Sequence, residues 1–278
     1  MAELLTVTAL SILAGFGVAA LGSTDTRRIG AAIHSVRAVD PDAIRTVARW
    51  TADTGAVLHA HVSEQPAEND DCRHAYKRSP IGLLADSGVL GGTFTAVHAT
   101  HVTEHDIGLL AHAGSTVCMC PTTERDLGDG IAPTGRFRTA GIDLCLGSDS
   151  HAVIDLLEEA RAVELDERLA SGGRGTHRVG ELLAAATVNG HRSLGWPEVG
   201  RIAVGAPADL VAVDLRSRRT AGTDDDQALA AVVFAATADD VTDVIVGGEH
   251  IVRGGRHSRI DVADELHSAI SAAWMAAG

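Results

Sequence analysis

The chain has 278 residues, enough for one large domain, or for one domain and a smaller one, with a sizeable buried core. Its 23 Lys and Arg residues are outnumbered by 37 Asp and Glu residues, which gives a formal net charge of −14. Nucleic acids and anionic membranes bind basic protein surfaces, so the composition argues against both and leaves a small or cationic ligand open.

The first apolar segment, residues 4–21, is long enough to resemble a signal peptide or a membrane span. However, Glu3 stands where a signal peptide carries positive charge, and the first basic residue is Arg27. Thr6 and Thr8 also alternate with apolar residues, as in a buried strand. We therefore predict a strand at Leu4–Leu13 rather than a targeting segment.

The four cysteines lack the spacing of a disulfide framework; they are Cys72, Cys118, Cys120 and Cys145. We interpret them as reduced thiols, which predicts a cytoplasmic protein. The Cys118-Met119-Cys120 run lies in an apolar, strand-like context, so we interpret it as core rather than as a metal site.

Up to about residue 195, strand-like and helix-like segments alternate. The predicted strands are Leu4–Leu13, Arg28–Ser35, Ala56–Val62, Phe94–Ala99, Thr116–Cys120 and Leu144–Gly147. The predicted helices are Asp40–Asp53, Ile81–Ser87, Glu104–Ala113, Ala152–Ser171 and Arg178–Asn189. This alternation predicts an α/β fold in which crossover helices connect parallel strands.

The pattern changes near Gly200. Strand-like runs at Ala208–Asp214 and Val241–Arg253 follow, and Gly247-Gly248 in the second run indicates a hairpin turn. An amphipathic helix is predicted at Asp261–Ala276. We therefore predict two domains, residues 1–195 and 196–278, the second a small β domain.

Side chains of types that can bind metal ions lie near or just beyond the ends of three of the predicted strands. His59 and His61 share one face of their strand because the strand period is two, and Glu64 lies just past the strand end. His98 and Asp149 close two later strands. Any one of these histidines alone is better explained as a surface or core residue, but together they predict a metal site at one edge of a parallel sheet.

Four motifs carry a resemblance to a known family. They are His-x-His-x-x-Glu at 59–64, Val-His-Ala-Thr-His at 97–101, Cys-Pro-Thr-Thr-Glu at 120–124 with Leu-Gly-Asp-Gly at 127–130, and Gly-Ser-Asp-Ser-His at 147–151. From about Leu5 to Arg256 the chain resembles the amidohydrolase superfamily, and within it the formimidoylglutamate deiminases. The resemblance implies an incomplete TIM-type (β/α)8 barrel followed by part of a small β-sandwich.

The resemblance also implies roles for the residues at the strand ends. It makes His61 a zinc ligand, and Asp149 a zinc ligand that also accepts a proton from the attacking water. Glu64 is then the proton shuttle, and His98 polarises the substrate. The implied cofactor is one Zn²⁺ or Fe²⁺ ion in a complete site, whose Lewis acidity activates water.

His34 and Arg37, in the run His-Ser-Val-Arg, resemble the motif with which these enzymes bind the substrate carboxylates. A guanidinium is a natural bidentate partner for a carboxylate. The implied reaction is hydrolytic deimination of N-formimidoyl-L-glutamate, with a small dicarboxylate as the substrate and a homodimer as the assembly of the complete enzyme.

One departure from the family affects these expectations. The family has a His-x-His pair on its first barrel strand, preceded by part of the small β domain, whereas no such pair occurs before His59 in this sequence. The spacing from His61 to His98 and Asp149 fits a later strand better than the first. We therefore expect the later part of such an enzyme, with impaired activity and with exposed sheet edges that favour association or instability.

Two alternative functions stay open. One is a related aminohydrolase acting on a purine, pyrimidine or triazine ring, although a ring without carboxylates would leave Arg37 with no counter-ion. The other is a remnant that catalyses no reaction.

Overall fold

The computed structural model describes residues 23, 24 and 27–277. The strand predicted at Leu4–Leu13 lies outside these residues. The chain divides into two compact units, residues 1–200 and 201–278. This division falls where the sequence pattern changes and shortly after the boundary predicted between residues 195 and 196.

The first unit contains a parallel five-stranded sheet in the order β1-β2-β3-β4-β5. The strands are β1 (Ala31–Ile33), β2 (Leu58–Val62), β3 (Phe94–His98), β4 (Thr116–Met119) and β5 (Leu144–Leu146). Sequential order in a parallel sheet is the arrangement of a (β/α) barrel. The predicted α/β fold class is therefore confirmed, and β1 and β5 are the edge strands within the described part of the sheet.

Helices connect the strands. They are α1 (Pro41–Thr54), α2 (Pro66–Tyr76), α3 (Pro80–Asp86), α4 (Glu104–Ala113), α5 (Pro121–Leu127), α6 (Thr134–Thr139), α7 (Leu156–Ser171), α8 (Val179–Ala186) and α9 (Val188–Ser193). Proline at the first helical position begins several of them, and the Asp40 side chain caps α1 by accepting from the amides of Asp42 and Ala43. The sequence analysis did not predict α2, α5 or α6.

One predicted helix, Arg178–Asn189, is in fact two. Thr187 separates α8 from α9 with φ −127° and ψ −98°, which is not a helical conformation. Gly200 passes so close to this break that a Cβ built on it would lie 2.8 Å from the backbone nitrogen of Val188. This close approach comes from a distant part of the chain, so helical periodicity could not reveal it.

Strand β2 shows how the sheet presents its polar residues. Leu58, Ala60 and Val62 are buried, whereas His59 and His61 between them are only partly buried. The two histidines thus share a face, as the two-residue period of a strand requires. The buried set, with Phe94 and Phe137 among the largest fully buried side chains, forms the core of the first unit.

The second unit contains an antiparallel four-stranded sheet in the order β6-β7-β8-β9. Its strands are β6 (Leu210–Val213), β7 (Val241–Val246), β8 (Glu249–Arg253) and β9 (Arg256–His257), and its helices are α10 (Ala228–Phe234) and α11 (Val262–Ala277). Gly247 and Gly248 turn β7 into β8 with φ values of 57° and 84°, as the predicted hairpin requires. No helix in the described part of the chain has the length and apolarity to cross a membrane.

Candidate metal centre and active site

Three metal-ligating side chains meet at the carboxyl ends of β2, β3 and β5. His61 lies in β2, His98 is the last residue of β3, and Asp149 follows β5. One ligand atom from each of the three lies within 4.8 Å of the others. Strands that are far apart in the sequence therefore bring together residues that the sequence analysis proposed for one site.

The backbone at this edge of the sheet is unusually strained. Five residues other than glycine adopt the left-handed conformation here, namely Ser63 (φ 51°), His98 (φ 69°), Ala99 (φ 51°), Asp149 (φ 44°) and His151 (φ 57°). Such conformations are disfavoured for residues with a side chain, and they concentrate at functional sites. They end each strand abruptly and turn the polar side chains over the edge of the sheet.

The backbone of the residue that follows β1 orients His61. Its Nδ1 lies 2.7 Å from the carbonyl oxygen of His34, and a carbonyl can only accept a hydrogen bond. Nδ1 must therefore carry the hydrogen, which leaves the lone pair of Nε2 for a metal ion. The ring also stacks on that of His98, with centroids 5.6 Å apart and planes 19° apart.

His98 is fully buried and lies between carboxylates. Its Nδ1 is 3.4 Å from Glu124 Oε1, and its Nε2 is 3.8 Å from Glu64 Oε1 and 3.7 Å from Asp149 Oδ2. Burial disfavours the charged ring, but the hydrogen bond to Glu124 and the nearby carboxylates outweigh burial and raise the pKa of His98. Nε2 is buried and has no hydrogen-bond partner among the residues that the structure describes.

These residues fit a divalent metal ion. Two imidazoles and a carboxylate form a donor set that suits zinc or iron, and the unpartnered Nε2 of His98 is a buried polar atom that a cation would satisfy. His61 and Asp149 are the ligands that the sequence resemblance implied. The geometry adds His98, whose implied role was to polarise the substrate, as a third donor within reach.

Arg37 and Glu64, predicted to bind substrate and to shuttle a proton, are paired with each other. Arg37 donates from a terminal nitrogen to Glu64 Oε2 at 2.5 Å. Its Nε lies 3.9 Å from Glu68, which also accepts a hydrogen bond from the Glu64 amide at 3.1 Å. Burial raises the pKa of the Glu68 carboxyl. The sequence analysis missed Glu68 because it lies in α2, which was not predicted.

A cavity of about 230 Å³ opens beside this ion pair and is lined in part by Arg37, Glu68 and Tyr76. His34 also lies at the site, with its ring centroid 5.4 Å from that of His61 and its Nδ1 2.9 Å from Ser35 Oγ. Burial, followed by the charges of His61 and Arg37, lowers the pKa of His34. A neutral His34 is therefore expected near pH 7.

Two further histidines hold the scaffold together. His59 Nε2 lies 2.8 Å from the Ser193 carbonyl oxygen, at the end of α9. His101 Nε2 lies 2.7 Å from the Asp129 carbonyl oxygen, in the Leu-Gly-Asp-Gly run. Because a carbonyl accepts only, both rings donate here and each ties a strand end to a more distant segment.

Glu124 is a second residue to which the sequence analysis gave no role. It is buried, and its Oε1 accepts a hydrogen bond from the Cys120 amide at 3.1 Å on the side of His98 away from the metal-ligating cluster. Burial raises the pKa of its carboxyl against the opposing effect of His98. Glu124 could have been found from the Cys-Pro-Thr-Thr-Glu run, which carried the family resemblance. The sequence analysis did not predict a contact between this run and His98.

Comparison with known proteins agrees with this architecture. Residues 13–251 match the model of the Amidohydrolase family. The formimidoylglutamate deiminase of Pseudomonas aeruginosa is 36% identical over 237 residues, which cover 83% of this chain and 52% of that protein. A 5-methylthioadenosine/S-adenosylhomocysteine deaminase of Moorella thermoacetica is 30% identical over 242 residues, covering 86% of this chain and 56% of that protein.

Among solved structures, an adenosine deaminase from Xanthomonas campestris with bound zinc superimposes with a TM-score of 0.81 at 27% identity, covering 86% of this chain and 55% of that one. The chain thus spans about half the length of the relatives that it matches. The family model covers most of the chain, and the parallel sheet with metal-ligating residues at its carboxyl edge agrees with it. The chain belongs to the amidohydrolase family.

Proposed function

We propose that this site serves the metal-dependent hydrolytic deimination of N-formimidoyl-L-glutamate, which yields N-formyl-L-glutamate and ammonia. The observation that carries the proposal is the Arg37 guanidinium beside the cluster of His61, His98 and Asp149, where it reaches Glu64 at 2.5 Å. The similarity to the Pseudomonas aeruginosa formimidoylglutamate deiminase supports it.

The chemistry requires an activated water and a route for its protons. A bound divalent ion supplies the Lewis acidity for water attack on the formimino carbon. Both protons of the water must reach the imino nitrogen: Asp149 would take one and Glu64 the other, and each would pass its proton on to that nitrogen. A carbonyl then forms at the formimino carbon as the C–N bond breaks, and ammonia leaves. Glu64 is well placed for this task because its side chain is only 11% exposed and lies within 3.8 Å of His98.

Arg37 provides the preference for a dicarboxylate. A substrate carboxylate would compete with Glu64 for the guanidinium, and this exchange would free Glu64 for proton transfer. A neutral ring would offer Arg37 no such partner. A purine nucleoside deaminase is the second candidate function, because the Moorella thermoacetica relative is a 5-methylthioadenosine/S-adenosylhomocysteine deaminase.

The test compares substrates and an arginine variant. Ammonia release is measured with N-formimidoyl-L-glutamate, 5-methylthioadenosine, S-adenosylhomocysteine, guanine and a triazine, and binding of N-formyl-L-glutamate is measured by calorimetry. We expect the formimino dicarboxylate to be the preferred substrate. Arg37→Met should weaken its kcat/KM, or the affinity for the formyl product, by at least about 100-fold, which corresponds to the loss of one partner of a charge pair that the bound substrate would enclose.

Arg45→Met is the matched control, because Arg45 pairs with Asp42 on the exposed side of α1 and should leave both measurements unchanged. Equal behaviour of Arg37→Met and the parent would refute the dicarboxylate assignment. Preference for a ring substrate would favour the second candidate, and neither turnover nor binding would favour a protein that catalyses no reaction.

A further inference from the structure

We propose that Glu124 is the positioning residue of His98: its carboxylate accepts a hydrogen bond from Nδ1–H and so keeps Nε2 of the ring directed towards Glu64 and Asp149. The consequence for catalysis rests on the proposed function, whereas the orientation of the ring does not.

The position of Glu124 follows from the local fold. Strand β4 ends at Met119, and α5 begins at Pro121. Glu124, in the first turn of α5, therefore bends back towards the strand end, where its Oε1 accepts from the Cys120 amide at 3.1 Å. The residue is only 4% exposed. Its carboxylate is thus anchored by the backbone before it contacts His98, and it has little freedom to move away.

His98 presents its two nitrogens to opposite surroundings. Nδ1 lies 3.4 Å from Glu124 Oε1. Within the described part of the chain Nε2 has no hydrogen-bond partner, and it lies 3.7–3.8 Å from Asp149 and Glu64. An ionised carboxylate only accepts hydrogen bonds, so Glu124 favours the form in which Nδ1 carries the hydrogen. Nδ1 carries a hydrogen both in the neutral ring, in which Nε2 is unprotonated, and in the imidazolium, in which both nitrogens are protonated.

Without Glu124, nothing would favour Nδ1–H over Nε2–H. The hydrogen of a neutral ring would then move to Nε2, because the carboxylates of Glu64 and Asp149 lie near that nitrogen as acceptors. Nδ1 would then be buried without a hydrogen-bond partner. In that form Nε2 could no longer act as an acceptor or as a metal donor. Glu124 therefore acts on the site through His98, although it lies on the far side of the ring from the metal-ligating cluster.

A purely structural role for Glu124 predicts something different. The hydrogen bond from the Cys120 amide would by itself make Glu124 a structural residue that joins the end of β4 to α5. Glu159 joins α7 to the same helix in this way. Glu159 is also buried, and it accepts from the amide and the hydroxyl of Thr122 at 3.0 and 2.5 Å. Removing a brace changes stability but leaves the hydrogen on the same nitrogen of His98.

The experiment reads the hydrogen position directly. The whole chain is labelled with ¹⁵N-histidine and treated with a chelator so that no ion fixes the ring, and ¹⁵N–¹H correlation spectra through the ring carbons report which nitrogen of His98 is protonated. The His98 signals are assigned by their loss in His98→Gln. We expect protonated Nδ1 in the parent chain and in Glu124→Gln, whose amide oxygen still accepts. In Glu124→Leu we expect the hydrogen on Nε2.

Glu159→Gln is the matched control and should leave the His98 spectrum unchanged. An unprotonated Nδ1 in the parent chain would overturn the proposal without any variant, so the test holds even if Glu124→Leu does not fold. A folded Glu124→Leu that keeps its hydrogen on Nδ1 would overturn it equally. These spectra need neither metal nor substrate. Their result therefore tests the orientation of His98 even if the deiminase assignment is wrong.

A kinetic measurement extends the test to the proposed reaction. Glu124→Leu should lower kcat by about 100-fold with little change in KM, since it misorients a group that acts on the reacting atoms. Glu124→Gln should recover most of that loss. Equal losses in both variants would contradict the proposal, because Glu124→Gln keeps the acceptor and removes only the charge.

Discussion

His59 and His61 lie two residues apart on one face of β2, yet they have different partners. His61 is one of the three residues at the sheet edge that could hold a metal ion, whereas His59 donates to the Ser193 carbonyl. Among the residues that the structure describes, this is the one cluster with at least three suitable donors. The strand period therefore placed both rings correctly, and only the neighbours of each ring distinguish a ligand from a structural residue.

The first prediction follows from this difference. We expect the purified chain to hold zinc or iron substoichiometrically and to lose it to a mild chelator, because the resemblance implies only two protein ligands, His61 and Asp149, and a catalytic zinc ion usually has at least three. His61→Ala should remove most of the remaining metal, as measured by elemental analysis after reconstitution and dialysis. His59→Asn should keep the parent metal content and lose only about 0.5–1.5 kcal/mol of stability with its hydrogen bond. Equal metal loss in the two variants would contradict the ligand assignment.

Glu64 carries the second residue-scale prediction. The Glu64→Gln variant keeps the size of the side chain but cannot accept and return a proton, so turnover should fall by about 10²–10⁴-fold. Metal content should stay at the parent level, because the Glu64 carboxylate is not among the three clustered donors. Undiminished activity in this variant would remove Glu64 from the mechanism.

At the scale of elements, a short helix that the sequence analysis did not predict, α6, is joined to α8 by an ion pair. Arg138, in α6, forms two hydrogen bonds of 2.9 Å with the two carboxylate oxygens of Glu181, in α8. This bidentate pair lowers the pKa of Glu181 to about 2, and a hydrogen bond from the Arg178 amide contributes. The pair joins two helices that β5 and α7 separate in the sequence.

The third prediction is a pH dependence of stability. Glu181 has a lower pKa in the folded chain than the usual 4.5, so its contribution is complete above about pH 4.5 and is lost as the pH falls towards 2. The parent chain should therefore be more stable than Glu181→Gln at pH 7, and this advantage should decrease below pH 4.5. Urea unfolding at several pH values measures it. Both partners are well exposed, so a modest effect is expected, and an advantage that grows on acidification would contradict the assignment.

At the scale of the whole molecule, the chain changes from one compact unit to the other between Gly200 and Arg201. The segment that begins there is highly exposed, with Ile202 at 90% and Val204 at 109%. A second exposed loop, around Arg174, is better anchored, because Glu164 accepts from the amides of Gly175 and His177 at 2.7 and 2.8 Å.

The fourth prediction compares these two segments. Proteases cut where the chain opens locally at little cost, so limited trypsin digestion should cleave first after Arg201 and later after Arg174. Mass spectrometry of early time points identifies the cut. Arg201→Gln should delay the first cleavage, while the reverse order of cuts in the parent would show that the Arg174 loop is the weaker point.

The sequence by itself determined the fold class, the family and the location of the site. The alternation of apolar strands with helices predicted a parallel sheet, and His61, His98 and Asp149 each lie near or just beyond the end of such a strand. Because the carboxyl ends of parallel strands share one edge, their convergence could be predicted without coordinates. These inferences depend on local periodicity and on motif spacing, which a sequence displays directly.

Only the tertiary structure decided which side chains act on one another. Three contacts show this: Arg37 pairs with Glu64, Glu68 accepts a hydrogen bond from the Glu64 amide, and Glu124 contacts His98. The break of a predicted helix at Thr187 likewise lies against Gly200, which approaches from beyond the next helix. No periodicity records such contacts, because the packing of the whole unit brings these residues together.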